Sequence, residues 1–80
     1  MADIELTPAQ KRKLKRAVAA LNDVRQELQQ EHPERYINWY LEDTGNLNLM
    51  ESESHDRDGD PQRDKVIEQF SLDNSGGGGW

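Results

Sequence analysis

The sequence predicts an α+β fold, in which one long amphipathic helix packs on a small antiparallel sheet in the order α-β-β-β. Three observations carry this prediction: a helix-capping sequence at Thr7, apolar residues spaced three and four apart behind it, and alternating apolar residues around a turn at 43–45. We expect a single domain at residues 1–72 of this 80-residue chain and a flexible glycine-rich tail at 73–80.

The helix is predicted at residues 8–31. Thr7 is a favourable N-cap, Pro8 suits the first helical position and Gln10 completes a capping box. Pro33 ends the helix, because the residue before a proline avoids helical geometry. One apolar stripe follows from the spacing; its members are Leu14, Ala17, Val18, Leu21, Val24 and Leu28.

A β-hairpin is predicted next. A three-residue loop with Gly45 in the left-handed conformation pairs Leu41 with Leu47 and Trp39 with Leu49, which places the apolar side chains on one face. We expect the helix stripe to cover that face. The predicted contact cluster between helix and hairpin consists of Leu21, Val24, Trp39, Leu41 and Leu49.

Residues 51–64 read as a polar loop, in which parts of 54–64 are candidates for disorder. The segment 65–72 suits either a helix or a strand. We favour a third strand of the sheet, because Val, Ile and Phe favour strands and a two-stranded sheet would leave an edge bare.

Composition limits the function classes. The chain has no cysteine, which excludes disulfides and thiolate chemistry. It also has no apolar run long enough for a membrane span. We therefore expect a cytoplasmic protein with no membrane contact. Residues 1–20 carry five basic and two acidic groups, whereas residues 21–80 carry five basic and fourteen acidic groups. This acidic surface disfavours nucleic-acid binding and leaves one small basic site for an anionic partner.

That basic site lies in the first turns of the helix and is composed of Lys11, Arg12, Lys13, Lys15 and Arg16. Cations are mildly unfavourable there, because the helix dipole is positive at its N-terminus. The cluster is either a docking patch for an acidic partner or a solvated helix face.

A second candidate surface is the hairpin face opposite the predicted core, which carries Tyr36, Tyr40 and Met50 with asparagines between them. Exposed aromatic residues with few charges are typical of binding surfaces. The alternative is that the acidic loop or the neighbours of the third strand cover this face.

The chain shows no motif for catalysis, and we predict that it is not an enzyme and has no cofactor. Asp56, Asp58 and Asp60 match the start of a calcium loop, but Pro61 stands where glycine is needed, so a solvated acidic loop is the favoured interpretation. His32 and His55 have no second histidine at metal-ligand spacing.

Trp80 follows four glycines at the end of the chain. It is a candidate anchor for a partner's pocket, a side chain that folds back on its own domain, or a scar of protein engineering. All three alternatives stay open.

The layout resembles small hypothetical proteins of phages and prophages. The resemblance lies in the Leu-Thr-Pro-Ala-Gln helix start, the short hairpin, the His-Asp-rich loop, the Val-Ile-x-x-Phe strand and the glycine-rich end in tryptophan. It implies a phage accessory protein that binds and inhibits a bacterial host protein in the host cytoplasm. Defence inhibitors and anti-CRISPR-type inhibitors belong to this class. The function predicted here is thus a non-enzymatic protein-binding module, and the alternative is a structural protein that forms a homo-oligomer or a virion component.

Overall fold

The computed structural model describes residues 2–77 and confirms the α+β class with the element order α-β-β-β. Helix α1 spans Pro8–Glu31, as predicted. Thr7 Oγ1 accepts a hydrogen bond from the Gln10 backbone N–H at 3.1 Å, and Gln10 Oε1 accepts one from the Thr7 N–H at 3.0 Å. The predicted capping box therefore forms, and it satisfies two of the donors that every helix start leaves unpaired.

Three strands form one antiparallel sheet in the order β1-β2-β3, with β1 at Asn38–Leu41, β2 at Asn46–Met50 and β3 at Val66–Ser71. A short 3-10 helix, Arg63–Lys65, leads into β3. The ambiguous segment after the polar loop is thus a strand, as favoured from the sequence.

The hairpin register is also confirmed: Trp39 pairs with Leu49 and Leu41 pairs with Leu47. Gly45 has φ +87° in the turn between β1 and β2. A Cβ atom at Gly45 would lie 3.0 Å from Ser75 Oγ and 3.1 Å from the Leu72 carbonyl oxygen. The turn therefore needs glycine both for its conformation and for the close approach of the chain that follows β3.

The helix does not cover the hairpin along its whole stripe, which corrects one expectation. No residue of α1 is buried, and its half-buried side chains all belong to its C-terminal part, where Leu21 is the first. The reason is length. A 24-residue helix is about 36 Å long, whereas strands of four to six residues span only about 14–20 Å. Residues 8–20 of α1, which we call the overhang, therefore extend past the sheet.

Polar contacts hold the C-terminal half of α1 to the chain before the sheet. Arg25 Nη1 donates to the Ile37 carbonyl oxygen at 3.0 Å, and Gln29 Oε1 accepts from the Ile37 N–H at 3.0 Å. Trp39 Nε1 donates to the Leu21 carbonyl oxygen at 3.2 Å. These contacts place Ile37 beneath the helix, where it is buried.

The core has two sides, where the sequence predicted one. Within residues 2–77, the buried apolar residues are Ile37, Leu49 and Met50. Leu49 lies on the helix side of the sheet, whereas strand alternation places Met50 on the opposite side together with Asn48 and Tyr40. Of the predicted contact cluster, only Leu49 is buried, and Val24 remains 44% exposed.

The loop after β2 is tied to itself and to the sheet. Asn38 Nδ2 donates to the Ser52 carbonyl oxygen at 2.9 Å, Gln62 N–H donates to the Ser54 carbonyl oxygen at 2.8 Å, and His55 forms a bridge with Pro61. The segment suspected of disorder is thus a hydrogen-bonded loop on the second side of the sheet.

Candidate protein-binding site

The overhang presents apolar side chains that nothing in residues 2–77 covers. Leu14 is 54% exposed and Val18 is 55% exposed, although both belong to the stripe that was expected to face the hairpin. Spacings of three and four place them on the same face as Leu21, which does reach the sheet. The overhang therefore continues the packing face of α1 into solvent.

The basic cluster lies on this overhang. Among the described residues, none of its five members forms an ion pair, since the ion pairs found there join Glu34 to His32 and Arg35. The first turn of α1 also has no acidic residue. The five cations of the cluster therefore have no ion-pair partner within residues 2–77, and Lys11 lies in the first turn, where the helix dipole is positive.

The cluster divides between two faces of the helix. Lys11 and Lys15 line a shallow surface groove of about 400 Å³ together with Leu14 and Val18. Arg12 is two residues before Leu14, and Arg16 is two residues before Val18. Two residues correspond to a rotation of about 200° around the helix axis, so both arginines point away from the stripe. The two lysines thus flank the apolar face, whereas the two arginines lie behind it.

A second apolar groove of about 340 Å³ runs between α1 and the sheet. Its lining includes Val24, Trp39 and Phe70, whose aromatic rings lie 6.4 Å apart between centroids. Phe70 is 52% exposed. The groove adjoins the overhang through Leu21, so the exposed apolar surface continues from the helix onto β3.

The hairpin face with Tyr36, Tyr40 and Met50 is not a continuous exposed surface. Tyr36 is exposed, but Tyr40 is half-buried with its ring edge-on to His55 at 5.9 Å, and Met50 has no exposed surface. Met50 is therefore unavailable to a partner in this structure, which corrects its place among the candidates. The loop covers this face, in line with the alternative given above.

Sequence reasoning missed a buried polar network on that face. The Glu42 carboxylate accepts hydrogen bonds from Thr44 Oγ1, from Asn46 Nδ2 and from Asn48 Nδ2, the last at 3.2 Å. Gln69 Nε2 donates to Asn48 Oδ1 at 2.8 Å and links the network to β3. The hydrogen bond from Thr44, followed by those from the two asparagines, lowers the pKa of Glu42, and burial opposes this effect. The signal was readable, because the predicted hairpin register places Glu42 opposite Asn46, and strand alternation places Asn48 on the same face as Asn46.

The aspartates of the calcium-like sequence form a turn. The Asp56 carboxylate accepts the backbone N–H groups of Asp58 at 2.9 Å and Asp60 at 3.0 Å, and Gly59 has φ +84°. Within residues 2–77, no group of three or more His, Cys, Asp or Glu side chains is placed to hold a metal ion. Asp56 thus acts as a turn-forming residue.

Trp80 lies outside the described residues, and its three interpretations remain hypotheses. The chain before it contacts the hairpin turn, where Ser75 Oγ donates to the Gly45 carbonyl oxygen at 3.3 Å. In the Trp39→Phe protein, fluorescence reports Trp80 alone. Blue-shifted emission in the isolated protein would show that Trp80 folds back, and a blue shift only upon partner addition would show a recognition motif.

Comparison with known proteins gives no relative: no protein-family model, curated protein or solved structure matches the chain. In the part of the chain that the structure describes, no helix has the length and apolarity to cross a membrane.

Proposed function

We propose that this chain is a non-enzymatic protein-binding module whose docking surface is the overhang of α1. The observation that carries the proposal is the half exposure of Leu14 and Val18 on the packing face of a regular, capped helix. An amphipathic helix gains most of its stability from packing its apolar face against another element. The chain supplies that element only from Leu21 onwards.

The surface area of the chain supports this proposal. A folded monomer of 9.2 kDa is expected to expose about 4,900 Å², whereas this chain exposes 6324 Å². Its radius of gyration is 14.8 Å, and about 12 Å is expected for a compact domain of 80 residues. The residues before α1 contribute part of the excess, since Ile4 is 88% exposed. The difference between the observed and the expected accessible surface is larger than the roughly 800 Å² that one partner buries in a stable interface.

The grooves favour binding over catalysis. Lys11 and Lys15 are the titratable side chains that line the groove on the overhang. Glu68 is the titratable side chain that lines the groove between α1 and the sheet. Neither lining combines a nucleophile with a base, which is the arrangement that nucleophilic catalysis requires. Exposed apolar surface rimmed by charge is instead typical of protein interaction sites.

The phage-like layout extends the proposal to the partner. In that extension, the chain occupies the surface of a bacterial host protein and inhibits it without chemistry. A homo-oligomeric assembly protein is the alternative, and light scattering separates the two, because an inhibitor of this kind is expected to be a monomer at working concentration.

The test of the proposed function is a comparison of two variants in affinity capture. Leu14→Gln combined with Val18→Gln removes apolar surface without changing charge, and we expect recovery of the partner to fall about tenfold, as for truncation of interface residues with large contributions. The melting temperature should change little, because both side chains are half exposed.

Tyr36→Gln is the matched comparison, since it removes an apolar side chain of similar exposure, 58%, from a different surface. We expect it to leave capture unchanged. Capture that depends on Tyr36 and ignores the double variant would place the binding site elsewhere and contradict the proposal.

A further inference from the structure

We propose that the overhang binds an acidic amphipathic helix of a protein partner. This inference rests on the proposed function and specifies the chemistry of the partner: apolar side chains that pack on Leu14 and Val18, and carboxylates that pair with the flanking lysines.

The first step is the arrangement of the lysines around the apolar face. Lys11 and Lys15 are four residues apart, and each is a three- or four-residue neighbour of Leu14 or Val18. All four side chains line the same groove. Lys13 is four residues before Ala17 and flanks the opposite edge of the stripe. A partner that packs on the stripe therefore meets positive charge on both sides.

The second step is electrostatic. Within residues 2–77 these lysines form no ion pair, and Lys11 and Lys15, four residues apart on the helix, repel each other in the isolated chain. Carboxylates supplied by a partner remove that penalty, and charge complementarity at the rim speeds association and selects against basic partners. The cluster thus weakens the free helix slightly and favours an acidic complex.

The third step is the secondary structure of the partner. The side of α1 offers no unpaired backbone N–H or C=O group, because the interior of a helix satisfies its own. An extended strand docked there would leave its own backbone groups without partners, whereas a helix brings them already paired. Side-chain ridges of two helices interlock along a straight stripe such as this one.

Other occupants fit less well. A second copy paired through its own overhang would bring the lysines that flank one stripe, Lys11, Lys13 and Lys15, against the same three lysines of the other. Nucleic acid gains nothing from Leu14 and Val18 between the lysines, and the net charge of −9 on residues 21–80 repels a polyanion. The same charge repels anionic membranes, and the stripe from Leu14 to Leu28 has no aromatic residue of the kind that anchors interfacial helices.

The test uses a synthetic three-heptad helical peptide with Leu at positions a and d and Glu at e and g, titrated into the full-length protein by calorimetry. We expect saturable binding that weakens as salt is raised, because salt screens charges at the rim. Lys11→Glu combined with Lys15→Glu is expected to weaken binding at least about tenfold, since two attractive pairs become repulsive.

Arg12→Glu combined with Arg16→Glu is the matched control, because it makes the same change of charge in the same turns but behind the stripe. We expect less than a threefold effect. A second peptide with Lys in place of every Glu should fail to bind the native chain and should bind the lysine-reversed variant. Circular dichroism of each variant verifies that α1 is intact.

Several results would overturn the inference. One is binding of the acidic peptide that changes neither with salt nor with the two lysine substitutions, and another is an equal loss of peptide affinity in the two double variants. Stronger binding to duplex DNA or to phosphatidylserine vesicles than to the peptide would also contradict it. So would a homodimer that dissociates when Leu14 and Val18 are changed. Absence of peptide binding while partner capture still requires Leu14 and Val18 would also overturn it, and in that case the proposed function would stand.

Discussion

Met50→Ala is expected to lower the free energy of unfolding by about 2–4 kcal/mol, as large-to-small changes in a core do. Met50 has no exposed surface, and the other two apolar residues that are buried within residues 2–77, Ile37 and Leu49, lie on the helix side of the sheet. A chain of 80 residues has a total stability of roughly 4–12 kcal/mol, so the loss would be a large fraction of it. Urea denaturation followed by circular dichroism measures the change.

Val18→Ala is the control for this prediction, because it also shortens an apolar side chain but at a position that is 55% exposed. We expect a change within about 0.5 kcal/mol there. Equal effects of the two substitutions would contradict a core on the second side of the sheet. It would also mean that the overhang packs on something within the chain.

Local rules explain why the helix start and the hairpin register could be predicted. The capping box at Thr7 involves residues three apart, and the register around Gly45 follows from strand alternation and one left-handed residue. Such patterns depend on close neighbours in sequence, so the sequence alone specifies them. The strand at 66–71 was harder, because its apolar residues fit two periods and only sheet pairing decides between them.

How much of α1 packs on the sheet depends on the length of the helix relative to the lengths of the strands. The apolar pattern of the helix alone does not contain this information. The stripe from Leu14 to Leu28 looks uniform in sequence, yet the strands are too short to cover its first half. Amphipathicity predicts that a face becomes covered but not whether the same chain covers it. The candidate site arises from this difference, and the sequence indicated only its charged part.

The buried position of Met50 and the Glu42 network required knowledge of the loop. Residues 51–64 are predicted to be a polar loop, and nothing in their composition shows that the Ser52 carbonyl accepts from Asn38 in the sheet or that the Ser54 carbonyl accepts from Gln62 within the loop. Because this covering is non-local, the sequence leaves open whether the face with Tyr40 and Met50 is exposed or covered, and the structure covers Met50 while Tyr36 stays exposed.

Glu42→Gln is expected to destabilise the fold by about 2–3 kcal/mol at pH 7, through loss of hydrogen bonds to a buried charged acceptor. Three side-chain donors converge on the carboxylate, and an amide would turn an N–H group towards one of them. Asn48 cannot rotate its amide to compensate, because its Oδ1 already accepts from Gln69. The substitution would therefore leave donors unpaired in a buried site.

The pH dependence gives this prediction its sign. Because hydrogen bonds lower the pKa of Glu42 in the folded state, its contribution is complete above the carboxyl pKa of the unfolded chain, about 4.3, and is lost as the pH falls through the lower folded value. The difference in unfolding free energy between the native chain and Glu42→Gln should thus be largest near pH 7 and shrink in acid. Glu53→Gln removes an exposed loop carboxylate and should show no comparable difference at pH 7. A Glu42→Gln difference that stays constant from pH 7 into acid would mean that the carboxylate charge is not what stabilises the network.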